Sequence, residues 1–139
     1  MTIRELSRLY YIRKEIDALL SVRAELLSRA SAVTQTLSGL PRAPGRRDKV
    51  GDGAAALADL DHDLARLLED YRAEARRLVD FIAACPDPHV RLCMELRFLR
   101  GYRWHRVAAV IGGGNSPEGC IMAVRRYRDR ISDREKRLP

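Results

Sequence analysis

Residues 92–130, LCMELRFLRGYRWHRVAAVIGGGNSPEGCIMAVRRYRDR, carry the local signals that decide the fold. Asp87-Pro88 opens a helix just upstream of this stretch, Gly101 ends it, Gly112-Gly113-Gly114 breaks a second, and Ser116-Pro117 opens a third. Asp and Ser are good N-caps, and proline at the first helical position loses nothing by lacking an N–H. Leu92, Leu96 and Leu99 recur at helical spacing in the first helix, and Trp104, Val107, Ala108 and Ile111 in the second. At about 100° per residue, Cys120, Val124, Tyr127 and Ile131 of the third fall within about 60° of one another, a narrow stripe that has to be packed.

The opposite side of that third helix carries Glu118, Met122, Arg125, Arg126 and Asp129, with Arg128 and Arg130 on its flanks. A basic helix face is most often simply solvated. Here, however, two short helices precede it, the support that a helix-turn-helix requires. A helix about 10–12 Å wide fits the major groove of B-form DNA, where arginine binds guanine O6 and N7 in bidentate fashion. That face is therefore the one expected against base edges. Arg128 and Arg130, on its flanks, are expected near phosphate.

Charge is distributed in the same sense. Residues 86–139 hold 12 Arg/Lys against 6 Asp/Glu, a net +6 of the chain's +7, whereas residues 54–85 hold 4 against 7. Positive charge gathered in one segment of a chain with a pI near 9.8 is a polyanion-binding footprint, because each phosphate contact releases condensed counterions. An interfacial membrane helix would need a broad apolar face, and the stripe is too narrow for that.

The preceding residues read as an extension. Thr2-Ile3-Arg4-Glu5 is a capping box, followed by Leu9, Ile12, Ile16, Leu19, Leu26, Ala30, Val33 and Leu37 at three/four spacing, broken at Arg23. Residues 38–53, rich in Gly, Pro and charge, read as a flexible loop. Leu57, Leu60, Leu64, Leu67, Tyr71, Leu78, Ile82 and Cys85 then form a second seam, broken at Glu74. The expectation is an all-α chain: a long antiparallel, coiled-coil-like helical hairpin over 1–85, then a trihelical helix-turn-helix over 86–139. Folding Leu37 back onto Leu57 sets Arg23 within about one layer of Glu74, so these two are expected to pair. The hairpin is either a plain scaffold or an arm for homodimerisation or partner docking.

No catalytic chemistry is legible, and neither an enzyme nor a cofactor is expected. His62, His89 and His105 lie in separate segments, and Gly112–Gly114 lacks the lysine of a phosphate-binding loop. Cys85, His89 and Cys93 recur every four residues, but no fourth ligand is near in sequence and Pro86 and Pro88 interrupt the helix that would align them. No metal site is therefore expected, and Cys85, Cys93 and Cys120 read as small buried hydrophobes. An odd cysteine count, no signal peptide and no apolar run approaching 18 residues point to a soluble protein in a reducing, cytoplasmic compartment and to no membrane contact.

Most of the chain also resembles a family of small phage and prophage transcriptional regulators related to ArpU and RinA. Their DNA-binding unit is similar to region four of sigma factors. The resemblance lies in Leu96-Arg97-Phe98, Gly101-Tyr102-Arg103-Trp104, Val107-Ala108, Ile111-Gly112-Gly113-Gly114-Asn115 and Val124-Arg125-Arg126-Tyr127. Tyr10 to Ile16, the proline-containing loop before Lys49-Val50 and Pro86-Asp87-Pro88 extend it. It implies control, in the cytoplasm of a bacterial host, of late phage or prophage genes through double-stranded DNA, with host RNA polymerase as a second partner and a recognition helix over about 117–130; Ser116, Glu118, Met122, Arg125 and Arg126 would lie nearest the bases, and Arg103, His105 and Arg106 would meet phosphate. Gly119 departs from the pattern, since a stronger helix former belongs early in a recognition helix. Two other readings stay open: a phage terminase small-subunit-like DNA-packaging protein, and a coiled-coil protein-interaction module.

Overall fold

The computed structural model describes residues 1–37 and 47–138, with the side chains of 33–37 and 47–50 excepted. Every regular element among them is helical: α1 (Ile3–Leu37), α2 (Arg47–Ala83), α3 (Pro88–Met94) running into a π-helical turn (Glu95–Leu99), α4 (Trp104–Ile111) and α5 (Pro117–Arg137). The chain is all-α, as its periodicity requires.

The capping box starts α1. Thr2 N–H donates to Glu5 Oε2 at 2.6 Å, and Glu5 N–H to Thr2 Oγ1 at 3.3 Å. The Thr2 N–H, and then its hydroxyl, hold the Glu5 carboxyl below the usual carboxylate range. A depressed carboxylate pKa stabilises the fold above the unfolded value, about 4.3, and that stabilisation is lost as pH falls through the lowered folded value. Thr2→Ala is expected to cost about 0.5–2 kcal/mol at neutral pH. Thermal melts of Glu5→Gln and the parent should differ at pH 7 and converge in strong acid.

No proline or glycine interrupts α1. The second helix begins earlier than its composition indicates: α2 starts at Arg47, so residues 47–53 of the expected loop are helical, Gly51 and Gly53 included. The loop's remaining part, 38–46, lies outside the described residues. This earlier start moves the pairing register. Arg23 Nε meets Asp61 Oδ1 at 2.7 Å, not Glu74, which lies 13 residues further along α2. The Leu37–Leu57 pairing expected from the two seams is thus about ten residues out of register with Arg23–Asp61. The Arg23–Asp61 pair is solvent-exposed and so contributes little. Glu74 is buried and accepts from Arg77 Nη1 of its own helix at 3.3 Å.

The chain divides into two compact units elsewhere than at 85/86: Met1–Tyr11 with Tyr71–Pro139, and Ile12–Asp70. In the second unit Ile12, Leu60 and Leu64 are the buried seam residues. In the first, α3, α4 and α5 pack on one another around Val90, Cys93, Met94, Leu96, Phe98, Val107, Ala108, Cys120, Val124 and Tyr127. The same core includes Leu6 and Leu9 of α1, Leu78 and Ile82 of α2, and Cys85. The trihelical unit is thus completed by the first turns of α1 and the last of α2.

The junction to α3 is short and pinned. Asp87 Oδ1 accepts from the N–H groups of His89 (2.9 Å) and Val90 (3.4 Å), and Arg91 Nη1 donates to Cys85 O at 2.7 Å. In a plain α-helix Leu92, Leu96 and Leu99 would share a face opposite Val90, Cys93 and Met94, at about 100° per residue. The π turn changes that rotation, as Arg100 N–H bonding Glu95 O five residues back shows. Phe98 is thereby turned to the Val90 side; Leu96 is buried as well, and Leu92, upstream of the turn, is exposed. Gly101 closes the turn at φ 73°, where a side chain would be strained.

Candidate nucleic-acid interface

The N-terminus of α5 is set by its own residues. Ser116 Oγ accepts from Gly119 N–H at 3.0 Å, and Pro117 occupies the first turn. A Cβ on Gly119 would stand 3.2 Å from that hydroxyl, so the glycine leaves the cap its room. The turn before it uses three consecutive glycines at φ 64–77°, a left-handed run open to almost no other residue. Asn115 Nδ2 ties this turn by donating to Gly112 O at 2.7 Å.

Cys120, Val124 and Tyr127 are buried and Ile131 half-buried, the stripe expected from spacing. Tyr127 also lies against Phe81 of α2, ring centroids 5.8 Å apart. Burial raises the Tyr127 phenol above its ordinary pKa, with Cys85 adding to the effect. With that stripe committed to the core, Glu118, Met122, Arg125, Arg126 and Arg130 face outward, as does Ser116. The helix continues to Arg137, past the expected end near Arg130; Arg134, Lys136 and Arg137 in its last turn suit the negative end of the helix dipole.

The outward cations are not equivalent. Arg125 and Arg126 make no ion pair with any described residue. Arg126 and Arg130 line a shallow groove that also holds Asp87, Asp129 and Asp133, which temper their charge. Arg128, placed near phosphate from its position in sequence, is three-quarters covered and bonds Asp129 Oδ1 through Nη2 at 2.7 Å and Nε at 3.1 Å. Arg125 is left as the least encumbered guanidinium on the face.

The turn into α4 supplies the second group. Arg103 is the N-cap residue of α4, and Arg103, His105 and Arg106 are all exposed. The Arg106 guanidinium stacks over Tyr102, 4.0 Å from its centroid. Behind them Arg97 Nη1 donates to Tyr102 O at 2.8 Å and lies 5.5 Å from the Trp104 ring, which meets Phe98 edge to face at 6.1 Å. Sequence reading gave Arg97 no role; the structure makes it the brace of this turn.

Cys85, Cys93 and Cys120 are all buried with free thiols, as expected of small apolar residues. Two of them also meet a histidine. Ligand atoms of His89, Cys93 and Cys120 lie within 4.8 Å of one another, whereas Cys85 Sγ donates to Asp87 O at 3.7 Å. The every-fourth-residue spacing thus picked out two members of this cluster; the third comes from α5, 27 residues beyond Cys93, and local spacing could not reveal it. Burial, with Cys120 alongside, pushes the Cys93 thiol up to about 12.

No described helix is long and apolar enough to cross a membrane. Comparison with protein families, with curated proteins and with solved structures finds no match to this chain.

Proposed function

We propose that this protein is a sequence-specific, DNA-binding transcriptional regulator that uses α3–α5 as a helix-turn-helix and α5 as the recognition helix. The observation that carries the reading is the division of α5 into a stripe locked in the core and an outward face on which Arg125 and Arg126 have no carboxylate partner. A charged ridge on a helix packed at its back is the form that enters a major groove. Arg103, His105 and Arg106 at the start of α4 flank it as phosphate contacts, in keeping with the net +6 of residues 86–139.

Control of phage or prophage late genes, and contact with host RNA polymerase, rest on the sequence resemblance and belong to the same proposal. A single trihelical unit reads only a short half-site, so the regulator is proposed to act as a homodimer through its long helices. Leu20, Val22, Leu27 and Leu68 of the Ile12–Asp70 unit remain partly exposed and are apolar surface that a second copy could cover. Light scattering reads the assembly state: a dimer is expected, and a ring of eight or more copies would favour DNA packaging.

Binding is tested by fluorescence anisotropy on duplex DNA across a salt series, followed by protection footprinting on phage promoter and packaging-site DNA. The expected result is a linear fall of log K with log salt and a protected site at the promoter. Protection confined to the packaging site would replace transcription with packaging, and absence of salt-dependent duplex binding would end both readings.

A further inference from the structure

His89 and Cys93 stand four residues apart on α3, one above the other on the same face, and Cys120 meets them from the first turn of α5. Cys93 Sγ lies 3.8 Å from His89 Nε2, and all three ligand atoms fall within 4.8 Å. A tetrahedral zinc ion, with Zn–S about 2.3 Å and Zn–N about 2.0 Å, sets such atoms about 3.5–3.8 Å apart. Side-chain adjustments of less than about 1 Å close the set to that geometry.

We propose that His89, Cys93 and Cys120 bind one zinc ion, with a water held by Asn115 completing the tetrahedron. Both sulfurs are fully buried, so they are shielded from bulk solvent, while His89 is only partly covered and leaves a path for the ion. Asn115 is already oriented for its part. Its Nδ2 is committed to Gly112 O, which turns Oδ1 toward His89 Nε2 at 3.1 Å, on the open side of the cluster.

On binding, each thiol releases its proton to solvent and bonds the metal as thiolate, and His89 binds through Nε2 with its remaining proton on Nδ1. Two thiolates and an imidazole select zinc over magnesium, calcium or manganese, which prefer oxygen donors. The ion ties α3 directly to the start of α5, a link that needs no DNA and stands whether or not α5 reads bases.

The test uses the full chain, reduced and stripped of metal, titrated first with Co(II) and then with Zn(II). One equivalent of Co(II) should give tetrahedral visible bands with thiolate charge transfer, bleached by one equivalent of zinc. At zinc about 100-fold above Kd, Tm should rise by roughly 10 °C, and a chelator should reverse the rise. His89→Gln, at a partly exposed position that does not threaten folding, should weaken zinc more than about 100-fold, beyond the effect of losing an outer partner. Cys120→Ser should do the same, Asn115→Ala should weaken it about 10- to 100-fold, and Cys85→Ser should leave it unchanged. The proposal is overturned if the reduced parent gives no tetrahedral spectrum, if its thiols yield only a Cys93–Cys120 disulfide, or if His89→Gln binds zinc as the parent does.

Discussion

Arg125→Ala is expected to weaken binding to the specific DNA site by about 1–3 kcal/mol, or about 5- to 150-fold, and to relax the sequence preference at one position. The magnitude is that of one bidentate arginine contact to guanine, and Arg125 is the outward guanidinium of α5 with neither an ion pair nor a place in the acidic groove. Arg103→Ala should behave differently. A lost phosphate contact lowers affinity nearly equally on all sequences and flattens the log–log salt slope by about 1. Arg128→Ala should do little, since its guanidinium is bound to Asp129 and largely covered. The three variants measured at matched salt give a pattern that a merely basic surface would not, because nonspecific attraction would respond to all three alike. Equal affinity and equal slope for Arg125→Ala, Arg126→Ala and the parent would remove α5 as the recognition helix.

Leu6→Ala is expected to destabilise the protein by about 2–5 kcal/mol in urea unfolding, the cost of truncating a leucine in a packed core. Leu6 has no exposed surface and shares the core of the trihelical unit with Leu78, Met94 and Val107, although more than 80 residues separate it from Met94 and Val107. Tyr11, exposed on the same helix, supplies the control: Tyr11→Ala should fall within about 0.5 kcal/mol of the parent. By the same reasoning a fragment of residues 86–139 should fail to give a cooperative melt, because it lacks Leu6, Leu9, Leu78 and Ile82. A silent Leu6→Ala, or a cooperative 86–139 fragment, would show that the trihelical unit is complete without the long helices.

The starts of α3 and α5 and the breaks at Gly101 and Gly112–Gly114 were legible because each is written within about one helical turn of sequence, whereas the end of α5 at Arg137 was not. Asp87-Pro88 and Ser116-Pro117 supply caps that bond N–H groups two or three residues on, and the glycine runs adopt φ values that other residues avoid. The capping box at Thr2 and Glu5 and the buried stripe of α5 are local in the same way. The start of α2 was not legible. Residues 47–53 carry weak helix formers, and their helicity shifted the register enough to give Arg23 to Asp61 and leave Glu74 to Arg77. The π turn was equally hidden, since its apolar residues also fit an ordinary helix; only packing reveals that Phe98 is inside and Leu92 outside.

Of the candidate interface, the identity of the outward residues followed from angular position alone, but their relative freedom did not. That Arg128 is tied to Asp129 and that Asp87 shares a groove with Arg126 depends on how side chains settle and how α3 meets α5. The meeting of His89 and Cys93 with Cys120 has the same origin.

Sequence alone determined helix class, the capped starts of α1, α3 and α5, the glycine breaks, the buried side of α5 and the basic end of the chain, because backbone dihedrals, capping and hydrophobic period act over a few residues. The tertiary structure alone decided which parts of the long helices complete the trihelical core, which cations remain unpaired, and which thiols face a histidine. Those outcomes require residues distant in the chain to be brought together by burial, and burial depends on the packing of all the helices at once.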